Sequence, residues 1–422
     1  MPRFSTLTDW LAWQETLHPR KIDLGLERVS RVAGRMQLLT PGHGVISVAG
    51  TNGKGSSVAM LESILSSAGY RVGCYTSPHL LRYNERIRIA GKAVDDAVLC
   101  AAFESVDQAR GDTSLSYFEF GTLAAFSLFS QAHLDIAILE VGMGGRLDAV
   151  NILDADAALV TSIDIDHSAW LGKDREAIGS EKAGIFRAGR PAVCSDPEPP
   201  ASVHRQAQAV SARWYAPGCG FDWTTSEPGW NWQSPGKVYR DLPLPALPGK
   251  HQLQNAAGVL MVLEVLATRF PLTRTAIEQG LLTVTLAGRC QLIPGAVETL
   301  LDVAHNPGSA EKLVQLLRQR DVRGRTRMVL GMLADKDVAA FTAILHPEVD
   351  DWYLASLPGD RGLTAEQLQP FISGEVSRAP VRRFQDVATA CTRARADAED
   401  GDRVVVCGSF VTVAEALMWC NG

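Results

Sequence analysis

Short apolar runs alternate with longer stretches of helical spacing along most of the chain. Residues 45–49, 71–75, 136–140 and 157–163 are β-branched and apolar and read as buried strands. Leu7, Trp10, Leu11 and Leu17 recur at helical spacing, which predicts a helix over 6–18 that stops before Pro19. Helices are predicted again over 29–36, 58–65, 95–110, 116–132 and 249–267. The alternation resumes beyond 287, with strands at 299–303, 327–330, 351–355 and 403–407. The helices between them fall at 309–318, 338–345, 364–371 and 387–398. Residues 196–248 differ, because prolines interleave with Trp214, Trp223, Trp230 and Trp232. Short strands and loops packed on the main sheet are expected there.

The first strand runs into Gly50-Thr51-Asn52-Gly53-Lys54-Gly55-Ser56-Ser57, and a helix follows. A glycine-rich turn between strand and helix lets backbone N–H groups approach an anion, and the helix N-terminus adds partial positive charge. Lys54 can reach outer phosphates, and Ser56 or Ser57 can meet Mg²⁺. Gly55 separates Gly-Lys from the serines, so the string departs from the strict Walker A form. The expected fold is therefore α/β. A P-loop domain with a central, mostly parallel sheet spans 1–286, and a smaller doubly wound, Rossmann-like domain spans 287–422.

Other strand ends carry polar groups on the edge where open α/β sheets bind ligands. The second strand ends in Thr76-Ser77-Pro78-His79, and the run 136–140 ends in Glu140, as a Walker B strand delivers an acid to Mg²⁺. Asp166-His167 follows the run 157–163. Ser77, Glu140 and His167 are thus expected to converge on a metal. Pattern alone reads Asp23 as an N-cap, Arg88 as part of a solvated strand face and Lys182 as a helix-end lysine favoured by the dipole. Asp302 to Pro307 sit at the first strand end of the second domain.

Composition narrows the class. A net charge of −6 without a basic block argues against a nucleic-acid binder. No apolar run is long enough to span a bilayer and no signal pattern opens the chain, so a cytoplasmic protein is expected. The eight cysteines are scattered with no CxxC pair, which indicates neither a zinc site nor a disulfide framework.

Taken in order, the P-loop, Thr76-Ser77-Pro78-His79-Leu80, Glu140-Val141-Gly142, Gly144-Gly145-Arg146-Leu147-Asp148, Asp166-His167, Glu181-Lys182-Ala183-Gly184-Ile185 and Asp302-Val303-Ala304-His305-Asn306-Pro307 resemble the folylpolyglutamate synthase family. Ile22-Asp23-Leu24-Gly25-Leu26-Glu27-Arg28-Val29 extends the likeness toward the N-terminus. The resemblance implies an ATP-dependent ligase that joins L-glutamate to dihydropteroate and to reduced folates through an acyl phosphate. It implies that Thr51, Asn52, Gly53, Lys54, Gly55 and Ser56 bind ATP phosphates, with Asn255, Arg289 and Asp302 completing the nucleotide site. Ser77, Glu140, His167 and Lys182, the last as a carbamate, would hold two Mg²⁺ ions; a monovalent cation is left open. Lys54, His167 and Lys182 are the implied catalytic residues. Ile22, Asp23, Leu24, Tyr117, Phe118, Glu119, Leu147, Asp148 and Ala149 would surround the pterin. A monomer acting on small molecules, with no membrane or nucleic-acid partner, is expected.

Two other readings compete. Muramyl peptide ligases share the architecture, but they carry an N-terminal nucleotide-sugar domain for which the stretch before Val45 is too short. A nucleotide-dependent switch would need no amino-acid substrate, and no Asn-Lys-x-Asp guanine-reading segment occurs.

Overall fold

The computed structural model describes residues 3–20, 22–372 and 379–421. The helices of the first half are α1 (Leu7–Leu17), α2 (Glu27–Arg35), α3 (Lys54–Ser67), α4 (Asp96–Arg110), α5 (Tyr117–Gln131), α6 (Ser168–Leu171), α7 (Arg175–Ala183) and α8 (Ala201–Ala209). They are followed by α9 (His251–Val265) and α10 (Arg274–Thr283). The strands are β1 (Gly44–Ala49), β2 (Val72–Tyr75), β3 (Ile87–Ile89), β4 (Lys92–Ala93), β5 (Ile136–Glu140), β6 (Ala157–Val160), β7 (Pro191–Cys194), β8 (Arg213–Pro217), β9 (Gly220–Thr225), β10 (Trp230–Ser234) and β11 (Lys237–Leu242).

These strands form one sheet in the order β11-β10-β9-β8-β7-β6-β1-β5-β2-β3-β4. Strand β1 pairs in parallel with β5 on one side and β6 on the other, and β2 pairs in parallel with β5. Every residue of β1, β2, β5, β6 and β7 is buried, which is why they appear as unbroken apolar runs rather than alternating ones. The hairpin β3–β4 adds one antiparallel edge, and β9–β10–β11 add the other. The Trp- and Pro-rich stretch therefore does not pack on the sheet: after α8 its four strands continue the sheet edgewise. Trp230 and Trp232 are fully buried, and their indole N–H groups donate to the Pro243 and Ala257 carbonyls at 3.0 and 3.1 Å.

Helix α10, which no predicted helix covered, packs on α3. Gly280 permits it: an added Cβ would lie 2.5 Å from the Ile64 Cα, so only glycine lets the two backbones meet. Helices α1, α4 and α5 enclose Trp10, Phe103 and Phe120, whose rings lie 5.6–6.3 Å apart.

The second sheet contains β12 (Gln291–Ile293), β13 (Glu298–Leu301), β14 (Thr326–Leu330), β15 (Asp351–Ala355), β16 (Val381–Phe384) and β17 (Arg403–Cys407). Its order is β12-β13-β17-β14-β15-β16, parallel except for β12. Helices α11 (Pro307–Gln319), α12 (Val338–Leu345), α13 (Ala365–Leu368), α14 (Val387–Ala396) and α15 (Phe410–Asn421) accompany it. Its core includes Met328, Leu330, Phe341 and Trp352, all without exposed surface. The chain divides into two compact units: Met1–Ile163 with Leu171–Ala246 and Leu253–Val284, and Thr285–Gly422 with Asp164–Trp170 and Leu247–Gln252. The expected boundary lay after residue 286. The two short segments, 164–170 and 247–252, group with the second unit although their flanks belong to the first. Among the described residues no helix is long and apolar enough to cross a membrane.

Candidate active site

The turn after β1 is built as a cradle. Gly50 and Gly53 have φ of 149° and 92°, and Gly53 caps α3, whose first residue is Lys54. A Cβ on Gly50 would collide with the Thr161 hydroxyl, and one on Gly53 with the Asn255 carboxamide. The glycines are thus needed for close approach as well as for backbone shape. The turn is also propped by the two residues that follow β6. The Thr161 and Ser162 hydroxyls donate to the Asn52 carbonyl at 2.8 and 3.0 Å, and the Thr51 N–H donates to the Ser162 carbonyl at 2.8 Å.

Two lysines meet on this turn. Lys54 Nζ donates to the carbonyls of Gly50 and Thr51 at 2.9 and 3.1 Å, and Lys182 Nζ donates to the Gly50 carbonyl at 3.0 Å. Lys182 does stand in the last turn of α7, but it is only 4% exposed. The pattern reading of a helix-end lysine holds for its place in the chain, but the helix carries the side chain inward onto the glycine turn. The Gly142–Arg146 loop lies against it. A Cβ on Gly145 would be 2.7 Å from the Lys182 carbonyl, and the Arg146 N–H donates to the Glu181 carbonyl at 2.9 Å.

Strands β2 and β5 are adjacent, and their ends bring Ser77 to Glu140: the Ser77 N–H donates to Glu140 Oε2 at 3.3 Å. His167 has a left-handed backbone (φ 51°), and its N–H donates to Asp166 Oδ1 at 2.8 Å; it belongs to the segment grouped with the second unit. Among the described residues no three His, Cys, Asp or Glu side chains are grouped to hold a metal.

Two of the expected pterin residues, Asp23 and Glu119, are tied together by Arg28. Its guanidinium donates to the Asp23 carboxylate at 2.6 Å and to the Asp23 carbonyl at 2.9 Å, and lies 3.2 Å from Glu119. Asp23 is not an N-cap, because α2 is capped at Leu26 without a side-chain bond; its charge is spent on Arg28 and His18 instead. Glu119 accepts the Ser116 N–H at 2.7 Å in a capping box that starts α5. Phe118 packs on Gly142, and Tyr117 lies edge-on to Tyr83 at 5.7 Å. Arg86 is stacked on both tyrosine rings and donates to His79 Nδ1 at 2.9 Å. Burial and that guanidinium push His79 down to about 4, so its imidazole is neutral and accepts. Ile22 is exposed and Leu24 and Leu147 are half-buried, while Ala149 is buried.

In the second unit, the Asp302 carboxylate accepts the Cys290 N–H at 2.7 Å, its thiol at 3.1 Å and the Ala304 N–H at 2.8 Å. Arg289 sits between left-handed Gly288 and Cys290 and stacks on Phe410 at 5.0 Å. Asp166 accepts Lys336 Nζ at 2.7 Å and Asn306 Nδ2 at 3.1 Å, with His305 Nε2 at 3.4 Å. Burial opposes its charge, but His305 and Lys336 hold its carboxyl far below the usual range.

The sequence matches the Mur ligase middle domain over residues 48–195 and the Mur ligase glutamate ligase domain over 288–410. The dihydrofolate synthase/folylpolyglutamate synthase of Escherichia coli is 47% identical over 413 residues, spanning 98% of this chain and 95% of that protein. The chain belongs to the folylpolyglutamate synthase family. The Haemophilus influenzae protein of the same name is 41% identical, with 97% of each chain covered. The structure of E. coli FolC with DHPP and ADP superposes with a TM-score of 0.94 at 46% identity, covering 99% of this chain and 98% of that one. A bifunctional folylpolyglutamate synthase/dihydrofolate synthase with Mn, AMPPNP and L-glutamate bound gives 0.92 at 47% identity, covering 99% and 98%. The chain is an ATP-dependent ligase.

Several residues of this ligase were not singled out from sequence. Thr161 and Ser162 gave no signal beyond two hydroxyls at a strand end, and Lys336 none beyond a loop lysine. Arg28 lies in the N-terminal stretch Ile22 to Val29 that carries the resemblance, but its tie to Glu119 crosses distant sequence.

Asp148 carries a pH dependence. It is 3% exposed and accepts the Met143 and Val150 N–H groups at 2.9 and 3.1 Å. Burial pushes its carboxyl up to about 6, against those hydrogen bonds. A raised carboxyl contributes stability that is full below the unfolded value of 3.8 and lost as pH rises through about 6. Comparing urea unfolding of wild type and Asp148→Asn at pH 4.5 and 7 should show the wild type losing about 2 kcal/mol relative to the variant. A difference constant with pH would refute the shift.

Proposed function

We propose that the ligase joins L-glutamate to dihydropteroate and to reduced folates. The supporting observation is the meeting of Lys54, Lys182 and Asn255 on the glycine turn. The substrate carboxylate attacks the γ-phosphorus of ATP, forming an acyl phosphate and ADP. The glutamate amine then attacks the acyl carbon, and phosphate leaves as the amide forms.

Each residue group has a part in this reading. The N–H groups of Thr51 to Ser56 and the Lys54 ammonium stabilise charge on the transferring phosphoryl oxygens. Asn255, Arg289 and Asp302 hold the nucleotide. Ile22, Asp23, Leu24, Tyr117, Phe118, Glu119, Leu147, Asp148 and Ala149 surround the pterin, with Arg28 fixing Asp23 relative to Glu119. Ser77, Glu140, His167 and a carbamate on Lys182 would hold divalent cations. A hydroxyl, a carboxylate and a carbamate are hard oxygen donors suited to Mg²⁺, and the metal would neutralise phosphate charge. The reactants are diffusible small molecules, and we take the ligase as a cytoplasmic monomer.

Substrate dependence tests the reading. Sustained ADP release should require both dihydropteroate and L-glutamate, and tetrahydrofolate should replace dihydropteroate. Equal ADP release with ATP alone would instead indicate a nucleotide switch.

A further inference from the structure

Arg88, expected on a solvated strand face, is drawn inward from β3 onto Glu62. Its Nε and Nη2 donate to Glu62 Oε2 at 3.0 and 2.7 Å, and Glu62 is only 9% exposed. Glu62 belongs to α3, the helix that begins at Lys54, and so lies about two turns beyond the phosphate turn. Arg88 also reaches the loop that joins β2 to β3. Its Nη1 donates to Thr76 Oγ1 at 3.3 Å and to the Glu85 carbonyl at 3.2 Å.

That loop carries Ser77. At its start, the Thr76 N–H donates to the Arg86 carbonyl at 2.9 Å. At its end, the Glu85 carboxylate accepts the N–H groups of Leu80, Leu81 and Arg82 at 2.8, 2.9 and 2.8 Å. Between these clamps the Ser77 N–H meets Glu140. The guanidinium is therefore a strut. One side is fixed by the P-loop helix, and the other sets the residue immediately before Ser77.

We infer that Arg88, held by Glu62, is a positioning residue for the divalent-metal loop: it fixes Ser77 against Glu140 and thereby sets metal affinity. The inference rests on the reading of Ser77 and Glu140 as metal ligands. Mg²⁺ tolerates little departure from octahedral geometry, so a neutral hydroxyl contributes only if the backbone delivers it in place. Groups behind the ligands commonly govern affinity by 10- to 100-fold. A lysine at 88 would keep the charge but could not make the forked contacts to Glu62 and Thr76 together.

Manganese serves as the probe. Free Mn²⁺ is followed by electron paramagnetic resonance during titration of the full chain with a non-hydrolysable ATP analogue present. Removing Arg88 alone would strand a buried carboxylate, so the test uses Glu62→Gln/Arg88→Met together and Arg88→Lys separately. The double variant should bind Mn²⁺ at least about tenfold more weakly, with Arg88→Lys in between. If the double variant does not fold, Arg88→Lys decides alone, and unchanged Mn²⁺ affinity in it overturns the inference. A lower melting temperature of the metal-free protein with unchanged Mn²⁺ affinity would show a merely structural pair and also overturn it. Ser77→Ala separates the two levels. If it weakens Mn²⁺ binding and the double variant does not, the strut fails and the metal reading stands. If Ser77→Ala has no effect, the metal reading fails and takes the inference with it.

Discussion

A Lys54→Ala protein should fold normally and retain at most about a hundredth of wild-type turnover on both dihydropteroate and tetrahydrofolate. The lysine is folded back on its own turn, donating to the Gly50 and Thr51 carbonyls. A bound triphosphate would compete for the ammonium, exchanging carbonyl contacts for contacts to phosphate oxygens. Charge on those oxygens shifts most in the transition state, so the loss should fall on kcat more than on ATP affinity. Folding should survive because the Gly50 carbonyl keeps Lys182 as a donor and Thr161 and Ser162 still brace Asn52. Circular dichroism establishes the fold, and steady-state kinetics with each pterin gives the loss. Near-normal turnover by the folded variant would remove the glycine turn from the phosphate site.

What was legible in the sequence was what is written locally. The cradle is a strand, a glycine turn and a helix in direct succession, and all its determinants fall between Val45 and Leu65. The place of Glu140 at the end of β5 was legible because a fully buried apolar strand stops there in a carboxylate. The central strands showed themselves through continuous apolar runs. What could not be read were partners brought together from afar. Lys182 meets Gly50 from 132 residues away, so its place at a helix end told only half of its environment. Arg88 lies in a strand whose neighbours alternate polar and apolar, and nothing in that alternation reveals Glu62 on a preceding helix. Asp23 shows the same blindness at shorter range: an acid before a helix suits an N-cap, but Arg28 and His18 offered stronger partners. In the segment 213–242, tryptophans and prolines obscured strands whose order is set by pairing onto β7 and β8. Assignment to the sheet edge required knowing which hydrogen-bonding edge β7 left open.

Lys182→Ala should lose about two orders of magnitude in activity, and a short carboxylic acid such as acetate should restore part of it. Lys54 and Lys182 donate to one carbonyl oxygen, so two amines stand side by side on the turn expected to receive a triphosphate and its metal. An ammonium at Lys182 offers no lone pair to a cation. Addition of CO₂ to the neutral form of its amine forms an N–C bond and releases a proton, leaving an anionic oxygen donor. On the proposed reading, that change would convert repulsion of a divalent ion into ligation and would supply oxygen where His167 alone would be a poor partner for so hard an ion. The alanine variant vacates the space of a buried side chain, which acetate can enter as a carboxylate of similar charge and donor type. Rescue should saturate with acetate and should be absent with an uncharged amide of the same size, because volume without charge does not replace the ligand. The intact protein offers an independent readout: mass spectrometry under non-denaturing conditions should find CO₂ on Lys182. A fully active Lys182→Ala protein, with no such adduct on the wild type, would leave the lysine as a brace for the Gly50 carbonyl and nothing more.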